Sequence, residues 1–449
     1  MFNSEIETMP REKLRELQNE RLHNIVHYVY ERVPFYRETL DREGIKPDDI
    51  RNVDDLHKIP FTKKQHLRDN YPFGLLAVPR EQLIRIHASS GTTGKPTVVC
   101  YTKNDVDVFA EVNARSLATA GAKPGMILHN AYGYGLFTGG LGIHYGGERL
   151  GMSVVPVSGG ATQRQITLIL DFKPEVICCT PSYAQTLGEE FKKRGIAPED
   201  ISIQVGLFGA EPWTETIRKD VEASLGVKAT NIYGLSEIIG PGVSQECIEA
   251  RAGSHIWEDH FYPEVIDPNT GEPRPDGKEG VLIFTHLTRE AMPLLRYWTG
   301  DITYLTHEPC VCGRTHTRMG PIRGRSDDML IVRGVNLYPT QIEEILTGIP
   351  EVVPHYQVLV TRERTMDEVE VKVEITEDVF HHIGQEVLSS DVIEADQTTR
   401  NLRDKICFLI KDTLGLTVNV TLMAPGSVPR SEGGKLRRTE DRRNLSSVH

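Results

Sequence analysis

Four short stretches of this chain carry residue types that could do chemistry. The run Ser89-Ser90-Gly91-Thr92-Thr93-Gly94-Lys95-Pro96 follows an apolar segment at residues 83–86. Its glycines let the backbone turn N–H groups inward, while four hydroxyls and one ammonium add donors, a composition suited to a nest for polyphosphate oxygens. It is not the nucleoside-triphosphatase loop, because two residues rather than four separate the first glycine from Gly94-Lys95, and proline follows the lysine. Tyr233-Gly234-Leu235-Ser236-Glu237 trails an apolar run and offers an aromatic face for a base and a carboxylate for Mg²⁺. Tyr297-Trp298-Thr299-Gly300-Asp301 sets an aspartate beyond a glycine turn, where it suits ribose hydroxyls. Pro429-Arg430-Ser431-Glu432-Gly433-Gly434-Lys435 presents a glycine-flanked lysine. Each stretch alone also reads as a capped turn or a solvated loop. Their joint presence in one chain is what points to a nucleotide.

A different chemistry is offered by Cys310-Val311-Cys312-Gly313, a tight turn with two thiols, and by Cys247 and His255 in the polar stretch 245–260. Together they supply four tetrahedral ligands for a structural Zn²⁺, with His260 as the alternative to His255. The single residue between the two thiols is shorter than the usual spacing and strains two-point chelation. Ordinary buried or solvated thiols are the competing reading. Cys100, Cys178 and Cys179 lie in apolar runs and Cys407 on an apolar helix, so these are expected in the core, and His87 is expected to be a packing residue.

Elements must hold these residues in place. Apolar runs at 97–101, 153–157, 176–179, 205–208 and 230–233 each end in a Gly, Ser, Thr or Pro cluster, the punctuation of βα units. In open α/β sheets ligands sit beyond the carboxyl ends of strands, so the loops beginning near 89, 158, 180, 209 and 233 are the places to look. Residues 10–33 put Leu14, Leu17, Leu22, Ile25, Val26, Val29 and Tyr30 at helical spacing, a stripe for packing on its own domain or for a homodimer contact. Turns such as Asp267-Pro268-Asn269-Thr270-Gly271 break the region from 262 into short strands. Alternation at Val369, Val371, Val373 and Ile375, then a helix through Leu402, Ile406, Leu409, Ile410 and Leu414, mark an α+β unit at the end of the chain. The expectation is an α/β protein: an N-terminal helical region at 1–84, a large α/β domain at 85–325 with a β-rich part near 262–322, and a smaller, mobile α+β domain at 326–449.

Composition limits the partners. A chain of 449 residues with net charge −12 has no basic field to hold nucleic acid. No apolar run reaches the roughly 18 residues of a membrane span, and the N-terminus has no signal-peptide core, so a cytoplasmic enzyme with no membrane partner is expected. Seven cysteines at irregular spacing do not form a secreted disulfide framework.

In order and spacing the four stretches resemble the adenylate-forming superfamily of acyl-CoA synthetases, peptide-synthetase adenylation domains and luciferases. The run from Cys312-Gly313-Arg314 through Gly324-Arg325-Ser326-Asp327-Asp328 to Arg333-Gly334-Val335-Asn336-Leu337-Tyr338-Pro339 resembles the phenylacetate-CoA ligases in particular. The resemblance implies a ligase that joins a carboxylic acid, an aromatic one such as phenylacetate, to CoA through an acyl-adenylate, with ATP, Mg²⁺ and CoA as reactants. It implies that residues 89–95 hold the β- and γ-phosphates and that Glu237 binds Mg²⁺. Tyr233 would stack on adenine beside Gly209-Ala210-Glu211-Pro212, with Gly234 and Ser236 also lining the nucleotide. Asp301 would accept the ribose hydroxyls near Arg325, and Lys435 would catalyse adenylation. Asp327 would be the hinge, Arg333 and Gly334 would face CoA after rotation, and Tyr132, Tyr134 and Phe137 would wall the acyl pocket. Two alternatives remain at this point: transfer of AMP or acyl to a non-CoA acceptor such as a deazaflavin, and a nucleotide-binding protein without catalysis.

Overall fold

The structure, a computed structural model, describes every residue except 89–95, 327–329, 334, 364–365, 384–395, 431–437 and 444–449. Strands Lys228–Leu235, Val205–Gly209, Val176–Cys179, Ile127–Asn130 and Ser153–Val155 lie side by side in that order, all parallel. The central two are buried at every position, which is why they read as unbroken apolar runs: helices cover both faces of such a sheet. Beyond Lys228–Leu235 the sheet continues antiparallel through Gly240–Glu246, Ser254–Ile256, Arg318–Met319 and Leu305–Thr306.

Two strands depart from the expected series. Residues 97–101 do not join the parallel sheet; Val98–Tyr101 pairs antiparallel with Arg85–Ala88 in a separate sheet flanking residues 89–95. The connection at 89–97 is too short for a parallel crossover, which needs about a dozen residues or more. Ile127–Asn130 was masked in the pattern by His129 and Asn130, both buried, whose polar atoms bond to Gln165 and the Gly140 carbonyl.

The helix Arg11–Arg32 buries Leu14, Gln18, Leu22, Ile25, Val26 and Val29 along one stripe. Leu22 to Val29 pack within its own chain, in a core shared with Trp257, Phe261, Leu282 and Phe284. Just before it, the fully buried Glu7 accepts from Arg314 Nε at 2.7 Å and from the backbone of Phe2 and Asn3. Phe261–Ile266, Gly280–His286, Tyr297–Thr303 and Gly324–Arg325 form an antiparallel meander against this core.

The C-terminal lobe has its own core, drawn from residues 332 to 422. Its sheet runs Asn419–Met423, Met366–Ile375, Val352–Glu363, Thr439–Asp441, with helices Pro339–Thr347 and Gln397–Leu414 contributing to the core. Val369, Val371, Val373 and Ile375 face that core, as their alternation requires. Cys100, Cys178 and Cys179 are buried; Cys407, at the rim of its helix face, is only half-buried, with Sγ 3.6 Å from the Val418 carbonyl.

Candidate functional site

Strand register builds the first corner of the site. Asp301 and Arg325 are direct cross-strand partners, so their side chains meet: Arg325 Nη1 donates to Asp301 Oδ1 at 3.0 Å, and Nη2 to the Thr299 carbonyl at 3.1 Å. Tyr233, at the carboxyl end of Lys228–Leu235, donates its hydroxyl to Asp301 Oδ2 at 2.6 Å. Burial, and then the Asp301 carboxylate, push the Tyr233 hydroxyl far above its ordinary pKa, so it stays a donor.

The neighbouring strand ends in Gly209, where any side chain would put a Cβ 2.0 Å from the Ile232 carbonyl. Ala210 follows in the left-handed region at φ 71°, and Glu211 turns back to accept from Ser182 N–H at 2.7 Å, in the first turn of helix Pro181–Lys193. Glu211 therefore caps a helix through one oxygen, a role its motif did not suggest. Ser236 lies 3.1 Å from Thr138 Oγ1. Glu237 is nearly buried; Lys64 Nζ stands 3.9 Å away and the Tyr297 hydroxyl lies beside it. Such a carboxylate has acceptor capacity left for a cation.

The three aromatic residues expected to wall an acyl pocket sit in three different environments. Tyr132 is in the core with Leu128, Ile143 and Cys178. Tyr134 is half-buried, with Asn130 Nδ2 at 2.7 Å and His144 Nδ1 at 3.1 Å from its hydroxyl. Phe137 is 50% exposed.

The C-terminal lobe meets the large one close by. Glu189, on helix Pro181–Lys193, receives His355 Nε2 at 2.8 Å and Arg430 Nε at 3.3 Å. Arg430 also forks onto Glu374 at 2.7 and 2.8 Å, and Arg438 donates to Glu343 at 2.6 Å. These arginines bracket residues 431–437, which include Lys435, and the Glu211 carboxylate acts electrostatically on Arg438. Ser89, Ser90, Gly91, Thr92, Thr93, Gly94, Lys95, Asp327, Gly334 and Lys435 lie outside the described residues. Arg333 is turned onto its own lobe, donating to the Asp367 carbonyl at 2.7 Å.

The cysteine set also converges, with ligand atoms of Cys247, His255, Cys310 and Cys312 all within 4.8 Å of one another. His260 is engaged elsewhere, by Thr288 at 2.7 Å and Glu111 at 3.2 Å. Sequence reasoning missed Lys64, Glu189 and His355. None stands in a motif, and each gains its place only through contacts across the fold.

The chain is similar over its length to known proteins. The chain matches the AMP-binding enzyme family over residues 5–287 and the AMP-binding enzyme C-terminal domain over residues 334–443. It is 69% identical to a phenylacetate-coenzyme A ligase of Thermus thermophilus across 99% of this chain and 100% of that one. The corresponding Escherichia coli ligase is 50% identical across 98% and 97%. Among solved structures, 2-hydroxyisobutyryl-CoA ligase with 2-HIB-AMP in the postadenylation state superposes with TM-score 0.88 at 28% identity, covering 97% of this chain and 91% of that one. The same enzyme with CoA in the thioesterification state gives 0.71 at 29% identity over 98% and 92%.

Proposed function

This chain belongs to the phenylacetate-CoA ligase family of the AMP-binding enzymes, and on that premise we propose that it activates phenylacetate with ATP and passes the acyl group to CoA. The observation that carries this reading is the convergence of Tyr233, Asp301 and Arg325 through side-chain hydrogen bonds, with the 209–212 turn on the strand next to that of Tyr233 and the C-terminal lobe paired to the large one at Glu189.

In the first half-reaction a carboxylate oxygen attacks the α-phosphorus of ATP, an O–P bond forms, and pyrophosphate leaves. Every oxygen involved is negative, so the enzyme must place donors and positive charge where electron density gathers. Residues 89–95 would hold the departing pyrophosphate and Lys435 would offset charge at the α-phosphate. Asp301, held by Tyr233 and Arg325, would accept the ribose hydroxyls and fix the nucleotide's position. Glu237 would hold the Mg²⁺ that accompanies ATP, and the ion would add positive charge beside the phosphates. In the second half-reaction the CoA thiolate attacks the acyl carbon and AMP leaves.

The acyl-adenylate is a mixed anhydride open to hydrolysis, so the site must be covered while it forms and opened for the thiol. We read the C-terminal lobe, turning at Asp327, as the element that does both, with Arg333 and Gly334 brought to the CoA side. The larger similarity to a postadenylation state than to a thioesterification state supports assigning the pose seen here to the first half-reaction. ATP and CoA are cytoplasmic metabolites, and among the described residues no helix is long and apolar enough to cross a membrane; we assign the enzyme to that compartment.

The test is incubation with ATP, Mg²⁺ and CoA across aromatic, aliphatic and amino-acid carboxylates, with thioester and AMP read by mass. Phenylacetyl-CoA should exceed every other product. A stronger aliphatic or amino-acid thioester, or adenylate without thioester, would overturn the assignment.

A further inference from the structure

We propose that Cys247, His255, Cys310 and Cys312 bind one structural Zn²⁺ that clips the 307–317 loop to the far edge of the central sheet. The ligands come from three places. Cys247 directly follows strand Gly240–Glu246, His255 lies on Ser254–Ile256, and the two remaining thiols share the turn between Leu305–Thr306 and Arg318–Met319. Cys247 Sγ is 3.6 Å from Cys310 Sγ, and Cys312 Sγ is 3.4 Å from His255 Nε2. Ligands held ~2.3 Å from a tetrahedral zinc through sulfur and ~2.0 Å through nitrogen stand roughly 3.8 Å apart for S···S and 3.5 Å for S···N. Both measured edges match that figure. A disulfide would need its sulfurs at ~2.05 Å and would leave the other two ligands without a purpose.

The turn resolves the strain that a one-residue spacing suggests. Gly313, at φ 81°, lets its N–H reach the Cys310 carbonyl at 3.0 Å, and Val311 is thrown outward at 83% exposure. The sulfurs on either side of Val311 then both point inward. His255 is fully buried, and its Nδ1 faces the His316 carbonyl at 3.3 Å, which sets the tautomer with Nε2 available to a metal. Three thiolates and one Zn²⁺ leave a net charge of −1, and the Arg314 guanidinium beside Cys312 offsets it. Three sulfurs and one imidazole nitrogen in a tetrahedron are a donor set for zinc rather than for Mg²⁺ or Ca²⁺.

The clip lies away from the reacting atoms and acts on architecture. The same loop carries Arg314, Thr315 and His316, which bond to Glu7, the Met9 carbonyl and the Ile6 carbonyl. The metal would thus hold the receptor for the N-terminal segment.

The experiment is metal analysis of the full chain purified without chelator, combined with Co²⁺ exchange and thermal melting of the wild type and of Cys312→Ser. We expect close to one zinc per chain, thiolate-to-cobalt charge-transfer absorption after exchange, and a melting temperature that falls on chelation. C312S should lose most of the zinc, melt lower, and no longer respond to chelator. Should C312S fail to fold, the cobalt spectrum of the wild type decides alone. A wild type that binds neither zinc nor cobalt after reconstitution, or a Cys247–Cys310 disulfide found by mass after alkylation, would overturn the proposal. None of these readings depends on which acid the enzyme activates.

Discussion

Two sets of ion pairs fasten outlying parts of this chain to the large lobe, and they differ in how far water reaches them. At the N-terminal end, Arg314 and Glu7 have side chains 2% and 0% exposed. At the lobe junction, Arg430 and Glu189 are 22% and 34% exposed, and Glu189 is shared with His355. A buried pair is costly to break because each charge is left without water or partner, commonly ~3–5 kcal/mol. A pair at a wetted seam can trade its partner for solvent at about 0–1 kcal/mol. The first arrangement suits a segment that stays; the second suits a lobe that, as proposed above, leaves between half-reactions. The two junctions are the same chemistry set to different depths.

The lobe seam is read here as the device that delivers Lys435. If so, Lys435→Ala should slow pyrophosphate exchange into ATP by about 10²–10³-fold, while thioester formation from supplied phenylacetyl-adenylate stays near wild type. Equal loss in both steps would detach the seam from catalysis. Next in size, Arg314→Ala should lower unfolding free energy by ~3–5 kcal/mol in denaturant titration, with kinetic constants of the folded fraction preserved. A loss below ~1 kcal/mol would erase the contrast drawn between the junctions.

Glu189→Gln should do the reverse. Solvent screening at this half-open site limits the effect to roughly 1 kcal/mol, so pyrophosphate exchange should fall about threefold to tenfold, with the second half-reaction and overall stability little changed. The smallest effect concerns pH. Burial alone would raise the Glu189 carboxyl, but His355 and Arg430 more than reverse this, pushing it down to about 2. A carboxyl lowered in the docked pose contributes to docking in full above its undocked value of ~4.5 and loses that contribution as pH falls toward the docked value. Lobe closure, followed by fluorescence transfer between labels on the two lobes, should therefore weaken as the medium becomes acid enough to protonate Glu189. Closure that persists unchanged into strong acid would locate the stabilising contact elsewhere.

Much of this was legible in the residues. The strands at 176–179 and 205–209 announce themselves because a sheet covered on both faces tolerates only apolar positions. Tyr233, Asp301 and Arg325 could be chosen from motifs because each ends or faces a strand whose register is itself patterned. Ile127–Asn130 could not, since its buried His129 and Asn130 bond to Gln165 and the Gly140 carbonyl, partners no local pattern names. Tyr132 is buried beside Leu128 and Ile143, and an aromatic next to glycines suits packing and pocket wall alike.

The amino-acid sequence alone determined the chemical vocabulary: a donor-rich loop, an aspartate beyond a glycine turn, a cysteine turn, and the periodicities that set strands and helices. Tertiary structure alone decided that Lys64 stands by Glu237, that His255 rather than His260 faces the thiols, and that Glu7 finds Arg314, 307 residues away. The reason is range: periodicity and turn chemistry act over a few residues, whereas which two polar side chains meet depends on how packed elements are turned and registered against one another.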